Sequence, residues 1–383
     1  MPGLAGVPAA RSGISDVDGR NGILEYRGIR IEELAAHSTF LETSYLLLFN
    51  RLPARPELER FTADVTQHRP IKGQLLDLIR CLPEHGHPMD ALQAAVAALG
   101  MFYPGRNVQD QDNNYWSVVR LIAKLPTIVA AFTRIRRGDD HVPPRDDLTF
   151  SENFLYMLTA QAPDRVVADV LDACLILHAE HTMNASTFCG LITASTLADP
   201  YTVVASAIGA LKGPLHGGAN EEVMAMLREI GTSERVRPYL QRKLDAKQPI
   251  MGFGHRVYQV KDPRAVILQQ LTQKLLAQCG APPLYGVLEE VERVGLELLE
   301  WKHVHPNVDF YSGIMYDQMG IPSDTFTPIF AMARVTGWLA HWLEQLKANK
   351  LYRPSQIYEG EHGRRYLPLD QRGPVPVPPP SSV

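Results

Sequence analysis

Apolar residues recur at spacings of three and four along most of this chain, the period of helices that bury one face and show the other to water. The windows with that period are 41–49, 56–66, 74–81, 89–101, 115–136, 151–158, 166–180, 201–211, 220–230, 264–278, 284–301 and 328–347. Gly, Pro, Asp or Ser punctuates most of the joins, as helix ends require. The pattern changes near the start, where Asp18-Gly19 and Asn21-Gly22 are turn pairs followed by Ile23-Leu24-Glu25-Tyr26. That combination predicts a small hairpin. A second short extended piece is expected at 365–369, ahead of a tail (373–383) with five prolines between Pro374 and Pro380. Such a tail has too little apolar surface to build a core. The expected fold class is all-α, with minor short strands near the two termini.

A chain of 383 residues exceeds what one core usually serves, so two domains are expected, one of them discontinuous in sequence. The formal charge of -4, from 38 basic and 42 acidic residues, is too balanced for a nucleic-acid or polybasic membrane footprint. No run reaches the roughly 18 uninterrupted apolar residues of a membrane span, and residues 1–13 lack the apolar stretch of a secretory signal. Cys81, Cys174, Cys189 and Cys279 are scattered without a CxxC pair, which reads as reduced thiols in the cytoplasm.

Four segments carry candidate chemistry. In Gly213-Pro214-Leu215-His216-Gly217-Gly218-Ala219-Asn220 a glycine-rich loop runs into a helix that Asn220 is placed to cap. His216 then stands ahead of a helix N-terminus, where imidazolium is disfavoured and a neutral ring is free to donate to a developing enolate. In Met251-Gly252-Phe253-Gly254-His255-Arg256-Val257-Tyr258 a histidine again sits between glycines, and Asp262-Pro263-Arg264 opens the next helix. A cation such as Arg264 in a first turn opposes the helix dipole and calls for an anion nearby. His305-Pro306-Asn307-Val308-Asp309-Phe310 sets a carboxylate between apolar neighbours, where desolvation raises its proton affinity as a general base near neutral pH requires. Arg334 shares a helix face with Phe330 and Trp338 and needs an anion from protein or ligand. Each has a plainer alternative: a loop histidine, a solvated arginine, a capping aspartate, a structural ion pair.

Taken together, the strings GPLHGGANEEV, GFGHRVYQVKDPR and PNVDFYSG, with His178-Ala179-Glu180-His181-Thr182-Met183-Asn184-Ala185-Ser186-Thr187-Phe188, resemble the citrate synthase family, short bacterial type, from about Ile14 to Leu369. That resemblance implies condensation of acetyl-CoA with oxaloacetate and hydrolysis of citryl-CoA, with His216, His255 and Asp309 catalytic. It implies an oxaloacetate clamp of His181, His255, Arg264, Arg334 and Arg353, with Arg353 contributed across a homodimer so that two active sites are shared. Lys302 matches a lysine near the coenzyme A phosphates; Arg256, Arg364 and Arg365 are further candidates, and Gln259 stands where many relatives carry a cation.

No metal or other cofactor is implied, acetyl-CoA being a cosubstrate, and neither nucleic acid nor membrane is an expected partner. The implied architecture is a large helical domain, 1–216 and 321–383, with a small helical domain, 217–320, that closes over oxaloacetate. The chain lacks the N-terminal extension of NADH-regulated relatives, so no inhibition through such a domain is expected. 2-Methylcitrate synthase, which takes propionyl-CoA, is the nearest alternative. A metal hydrolase built on His178, Glu180 and His181 lacks an HExxH spacing and a third ligand. A non-catalytic helical binding protein would leave the three acid-base sites without a purpose.

Overall fold

The computed structural model describes residues 2–4, 6–103, 107–255, 257–302 and 304–373. Arg256 and the proline-rich stretch from Pro374 lie outside the described residues. The hairpin is present as β1 (Ser15–Asp18) and β2 (Ile23–Tyr26), extended by β3 (Ile29–Arg30) into an antiparallel sheet of order β1-β2-β3. Its register pairs Ser15 with Tyr26 and Asp18 with Ile23, leaving residues 19–22 as the turn. The Asp18 carboxylate holds that turn, accepting from the Arg20 and Asn21 N–H groups and from the Asn21 side chain at 2.6 Å.

Helices make up most of the rest. They begin with α1 (Ile31–His37), α2 (Phe40–Phe49), α3 (Arg55–Gln67), α4 (Gly73–Arg80), α5 (Pro88–Phe102) and α6 (Gln111–Ile135). Next come α7 (Phe150–Thr159), α8 (Arg165–His178), α9 (Ala185–Ser195), α10 (Pro200–Leu211), α11 (Ala219–Ile230) and α12 (Val236–Asp245). The series ends with α13 (Pro263–Cys279), α14 (Tyr285–Leu299), α15 (Val308–Gln318) and α16 (Phe326–Lys347). Every window expected from the period contains a helix. Those at α1, α9, α12 and α15 are not anticipated, three of them for local reasons. α1 is only seven residues long, α12 is strongly polar with Pro238 in its first turn, and α15 is buried on nearly all sides and so shows no stripe.

One further expectation is corrected locally. The N-cap of α11 is Gly218, and Asn220 lies inside the helix, fully buried, with its Oδ1 accepting from the Glu221 N–H at 2.9 Å. The helix starts early because Gly217 folds back to donate to the Leu211 carbonyl, an approach so close that a Cβ at 217 would meet that oxygen at 2.5 Å.

α16 is the centre of the packing. It is buried from Phe326 to Trp342 and is packed against by α2, α6, α8, α9 and α10. A helix apolar on all sides belongs in an interior, and the ionisable exceptions on its buried part, Arg334 and His341, need partners there. α13 packs on α8 and α15, α11 lies on α15, and α12 pairs with α14.

The chain divides into two compact units, Met1–Leu351 and Tyr352–Val383. All elements named above lie in the first. In the second, the described residues form no strand at 365–369; the exposed segment finds no paired neighbour, and a single 3-10 turn, Leu369–Gln371, follows. Among the described residues no helix is long and apolar enough to cross a membrane. The four cysteines are free thiols, and Cys174 is buried in the core with its thiol pKa pushed up by burial.

Candidate active site

The first wall of the site is the turn from α8 into α9. α8 ends at His178, the chain passes through Thr182 in the left-handed region (φ 50°), and Asn184 caps α9 by accepting from the Thr187 N–H at 3.1 Å. Backbone in that conformation persists only when its surroundings hold it. Here the hairpin does so: the Tyr26 hydroxyl donates to the Glu180 carbonyl at 2.8 Å and accepts from the Glu180 N–H at 3.2 Å. Ser15 Oγ accepts from the Thr182 N–H at 3.1 Å. The Glu180 carboxylate is fully buried, with Oε1 bonded by Ser15 Oγ (3.1 Å) and His341 Nε2 (3.0 Å). Burial works to raise that carboxyl, and the charge and hydrogen bond of His341, with Arg334, outweigh it and hold it below its usual value.

This turn places His181 in the interior, its Nε2 3.3 Å from the Tyr258 hydroxyl and its ring centroid 5.2 Å from that of His255. Burial, then the charge of Arg264, pushes the His181 pKa well below normal. His255 is held from its own loop: Nδ1 accepts from the Val257 N–H (3.0 Å) and the Tyr258 N–H (3.2 Å). Two backbone donors on Nδ1 fix the neutral tautomer that carries its proton on Nε2. Burial and Arg264 lower the His255 pKa to about 4, against a smaller opposing effect of Asp262.

Arg264, in the first turn of α13, is buried and pairs with the Asp262 side chain through Nε to Oδ1 (3.1 Å) and Nη2 to Oδ2 (2.7 Å). Asp262 is the N-cap of α13, so part of the anion that the sequence demanded comes from the cap itself. Arg334 is placed differently. Its Nε donates to the His178 carbonyl at 2.8 Å and its guanidinium lies 4.7 Å from the centre of the Phe330 ring. Burial lowers its pKa to about 10, and the carboxylates whose charge reaches it are Glu180 and Asp309. A cation so desolvated is primed for an incoming anion.

Asp309 stands in the first turn of α15, capped by Asn307, whose Oδ1 accepts from the Asp309 N–H at 3.0 Å. Asn307 Nδ2 donates to the Gly254 carbonyl at 3.0 Å, and the Gly254 N–H donates to the His305 carbonyl at 2.9 Å, so the start of α15 is knitted to the His255 loop. Asp309 Oδ1 is shut off from solvent and has no hydrogen-bond partner. Desolvation therefore pushes its pKa to about 7, with Arg264 and Arg334 pulling down and Asp262 pushing up. His216 reaches the same region from the loop before α11. Its Nε2 accepts from the Ser186 N–H (3.3 Å) and lies 2.9 Å from Ser186 Oγ, which also accepts from Trp338 Nε1 at 3.1 Å. A backbone donor on Nε2 leaves the proton of neutral His216 on Nδ1. Burial and Arg334 bring the His216 pKa to about 4.

Two imidazoles whose pKa values lie near 4 and a carboxyl group that titrates near 7 thus stand within electrostatic reach of two buried arginines: Asp309 and His216 feel Arg334, and Asp309 and His255 feel Arg264. Beside them opens a cavity of about 450 Å³ lined by His255, Tyr258, Gln259, Lys302, His305 and Asn307, among others. Among the described residues no group of three or more His, Cys, Asp or Glu side chains is arranged to hold a metal ion.

The sequence profile of the citrate synthase C-terminal domain matches residues 3–355. The chain belongs to the citrate synthase family. It is 58% identical to the citrate synthase of Synechocystis sp. over 97% of its own length and 93% of that protein, and 50% identical to the one from Acidithiobacillus ferridurans over 97% and 98%. The crystal structure of the Pyrobaculum aerophilum citrate synthase superposes with a TM-score of 0.90 at 44% identity, covering 97% of this chain and 95% of that one. The Thermoplasma acidophilum citrate synthase, solved as a ternary complex with carboxymethyl coenzyme A and oxaloacetate, superposes at 0.91 with 31% identity, covering 96% and 98%.

For this citrate synthase family member, the residues singled out from sequence divide into three groups. His181, His216, His255, Arg264, Asp309 and Arg334 all lie in the first unit, where the charge of Arg264 or Arg334 reaches each of the histidines and Asp309, and Lys302 lines the cavity beside His255 with its ammonium 4.6 Å from the Trp301 ring centre. Arg256 lies outside the described residues. Arg353, Arg364 and Arg365 belong to the second unit, where Arg353 donates to the Pro354 carbonyl (3.2 Å) and Arg364 pairs with Glu361 (2.8 Å). Sequence reasoning missed Tyr258, Ser186, Asn307, Asp262 as the partner of Arg264, and the Glu180–His341 pair. All but His341 stand inside the quoted motif strings, yet their roles depend on contacts between strings.

Proposed function

We propose that this chain performs the citrate synthase reaction through an enol formed between Asp309 and His216. Asp309, ionised above about pH 7, removes a methyl proton of acetyl-CoA while the Nδ1–H of His216 donates to the thioester carbonyl. A thioester methyl is too weak an acid for a base alone, so a prepositioned donor at the developing oxyanion supplies much of the catalysis. The Nε2–H of His255 meets the ketone oxygen of oxaloacetate and gives it a proton as the enol carbon attacks. Water then hydrolyses citryl-CoA to citrate and coenzyme A in the same site.

The oxaloacetate carboxylates are held by Arg334, Arg264 and His181, with Arg353 supplied by a second copy of the chain in a homodimer. Lys302 meets the coenzyme A phosphates, and Arg256, Arg364 and Arg365 are further contributors. Every step is assigned to a protein side chain, with acetyl-CoA as cosubstrate and no resident cofactor. A small domain at 217–320 closes over oxaloacetate against the remainder, which brings His255 and Asp309 to His216 and excludes water. The four free thiols suit the reducing cytoplasm.

The observation that carries this reading is the buried, unpartnered carboxyl oxygen of Asp309, poised near 7 within reach of the same two arginines that help keep His216 and His255 neutral. The test follows thiol release from acetyl-CoA, with propionyl-CoA in parallel, in the presence of oxaloacetate. Turnover is expected with acetyl-CoA preferred and lost in Asp309→Asn and His216→Ala; undiminished turnover in either variant defeats the assigned roles.

A further inference from the structure

The turn of the N-terminal hairpin lies against the loop that carries His255. The Gln259 N–H donates to the Gly19 carbonyl at 2.8 Å, linking positions 240 residues apart in sequence. A Cβ at Gly19 would stand 2.1 Å from the Val257 carbonyl oxygen and 3.2 Å from Val257 Cγ1, so the two backbones touch and only glycine fits. Three residues further along the turn, a Cβ at Gly22 would meet Val260 Cγ2 at 2.9 Å. The turn comes to this contact preformed, because the Asp18 carboxylate accepts from Arg20, from Asn21 and from the Asn21 side chain.

What the turn touches decides where two polar groups of the site point. The Val257 and Tyr258 N–H groups hold His255 Nδ1 and so set its ring and its tautomer, and the Tyr258 hydroxyl stands 3.3 Å from His181 Nε2. Gln259, which makes the bond to Gly19, lines the same cavity as His255 and Tyr258. The hairpin's base, through Ser15 and Tyr26, meanwhile fixes the turn that carries His181.

We propose that Gly19 is a positioning residue: the hairpin tip is the surface against which the Val257–Gln259 segment seats, so one small sheet registers His255 and His181 to each other. The sheet acts through the backbone contacts of its tip and through the Ser15 and Tyr26 hydroxyls at its base. A ring displaced by about 1 Å loses one to two orders of magnitude in rate, which sets the scale of the effect. The proposal rests on the citrate synthase reading where it concerns substrates, and on the contacts of Gly19 with Val257 and Gln259 where it concerns seating.

The test compares wild type with Gly19→Ala and with Gly28→Ala, a change in the turn between β2 and β3 at φ 81° whose Cβ would have nothing within 4 Å. In Gly19→Ala, kcat/KM for oxaloacetate is expected to fall about ten- to a hundredfold with a clear rise in KM, and in Gly28→Ala the KM stays put. A simple fold defect lowers the active fraction and hence kcat, but leaves KM untouched. Amide hydrogen exchange read at Gln259 in the ligand-free protein is expected to be slow in wild type and fast in Gly19→Ala. Where Gly19→Ala does not fold, Asp18→Ala loosens the same turn without adding an atom and is expected to act in the same direction. Unchanged KM in the folded variants, or a Gln259 amide that exchanges freely in wild type, overturns the proposal. Absence of thiol release by wild type would instead strike at the reading of the reaction, since the exchange measurement still decides the seating.

Discussion

At the scale of single residues, Asp309 is the group whose state most depends on its surroundings. Its carboxyl titrates near 7 in the folded chain against an ordinary value of 3.8, so between those limits the folded protein binds more protons than the unfolded one. Stability should therefore fall as pH rises from about 4 to 7, by no more than about 4 kcal/mol from this group. Asp309→Asn removes that cost. Urea melts are expected to show the variant more stable than wild type at pH 8 and equal to it at pH 4, while kcat drops by about 10²–10⁴-fold. Because His216 and His255 stay neutral down to about pH 4, the Asp309 titration alone should shape the acid limb, and kcat/KM for acetyl-CoA should rise through about pH 7. An acid limb centred near 4 would reassign the base. Lys302→Ala is expected to raise the KM for acetyl-CoA severalfold and leave kcat unchanged, the behaviour of a group that binds ground and transition states alike.

At the scale of elements, α16 shows how a buried helix pays for its polar face. Arg334, Gly337 and His341 follow one another along one side, and the Glu180 carboxylate lies flat on the helix at Gly337, where a Cβ would meet Glu180 Oε2 at 2.1 Å and the Ala179 carbonyl at 2.5 Å. Gly337 thus admits the segment that holds His181, and the cost of glycine in a helix interior is offset by the contact. Gly337→Ala is expected to destabilise the protein by about 1–3 kcal/mol, read from thermal melts, and to raise the KM for oxaloacetate by moving the 178–182 turn. A variant with native stability and KM would show that the contact relaxes freely. The helix period exposed α16 and Arg334 on its face from sequence, because spacing along one helix is a local property. Glu180 and His341 were not paired from sequence, since 161 positions separate them and only packing of α8 on α16 joins them. The same limit concealed α15, whose burial on nearly every side erases the stripe that marks a helix.

At the scale of the whole molecule, the proposed homodimer makes a prediction of its own. If Arg353 serves the partner's site, Arg353→Ala and Asp309→Asn proteins are each nearly inactive, yet subunits mixed and reassociated should recover about a quarter of wild-type turnover, since half the dimers are mixed and each keeps one intact site. No recovery after verified exchange would place Arg353 in its own chain's site or in none. The sequence by itself determined the helical class, the glycine-flanked histidines, the isolated aspartate and the family, because periodicity and motif strings are local and survive in one dimension. Only the tertiary structure decided that Asp262 answers Arg264, that backbone N–H groups fix both histidine tautomers, and that Asp309 is desolvated enough to titrate near 7. Those properties arise from groups brought together by folding. Proton affinity in a dry, charged pocket is a sum over neighbours in space, which the order of residues along the chain does not supply.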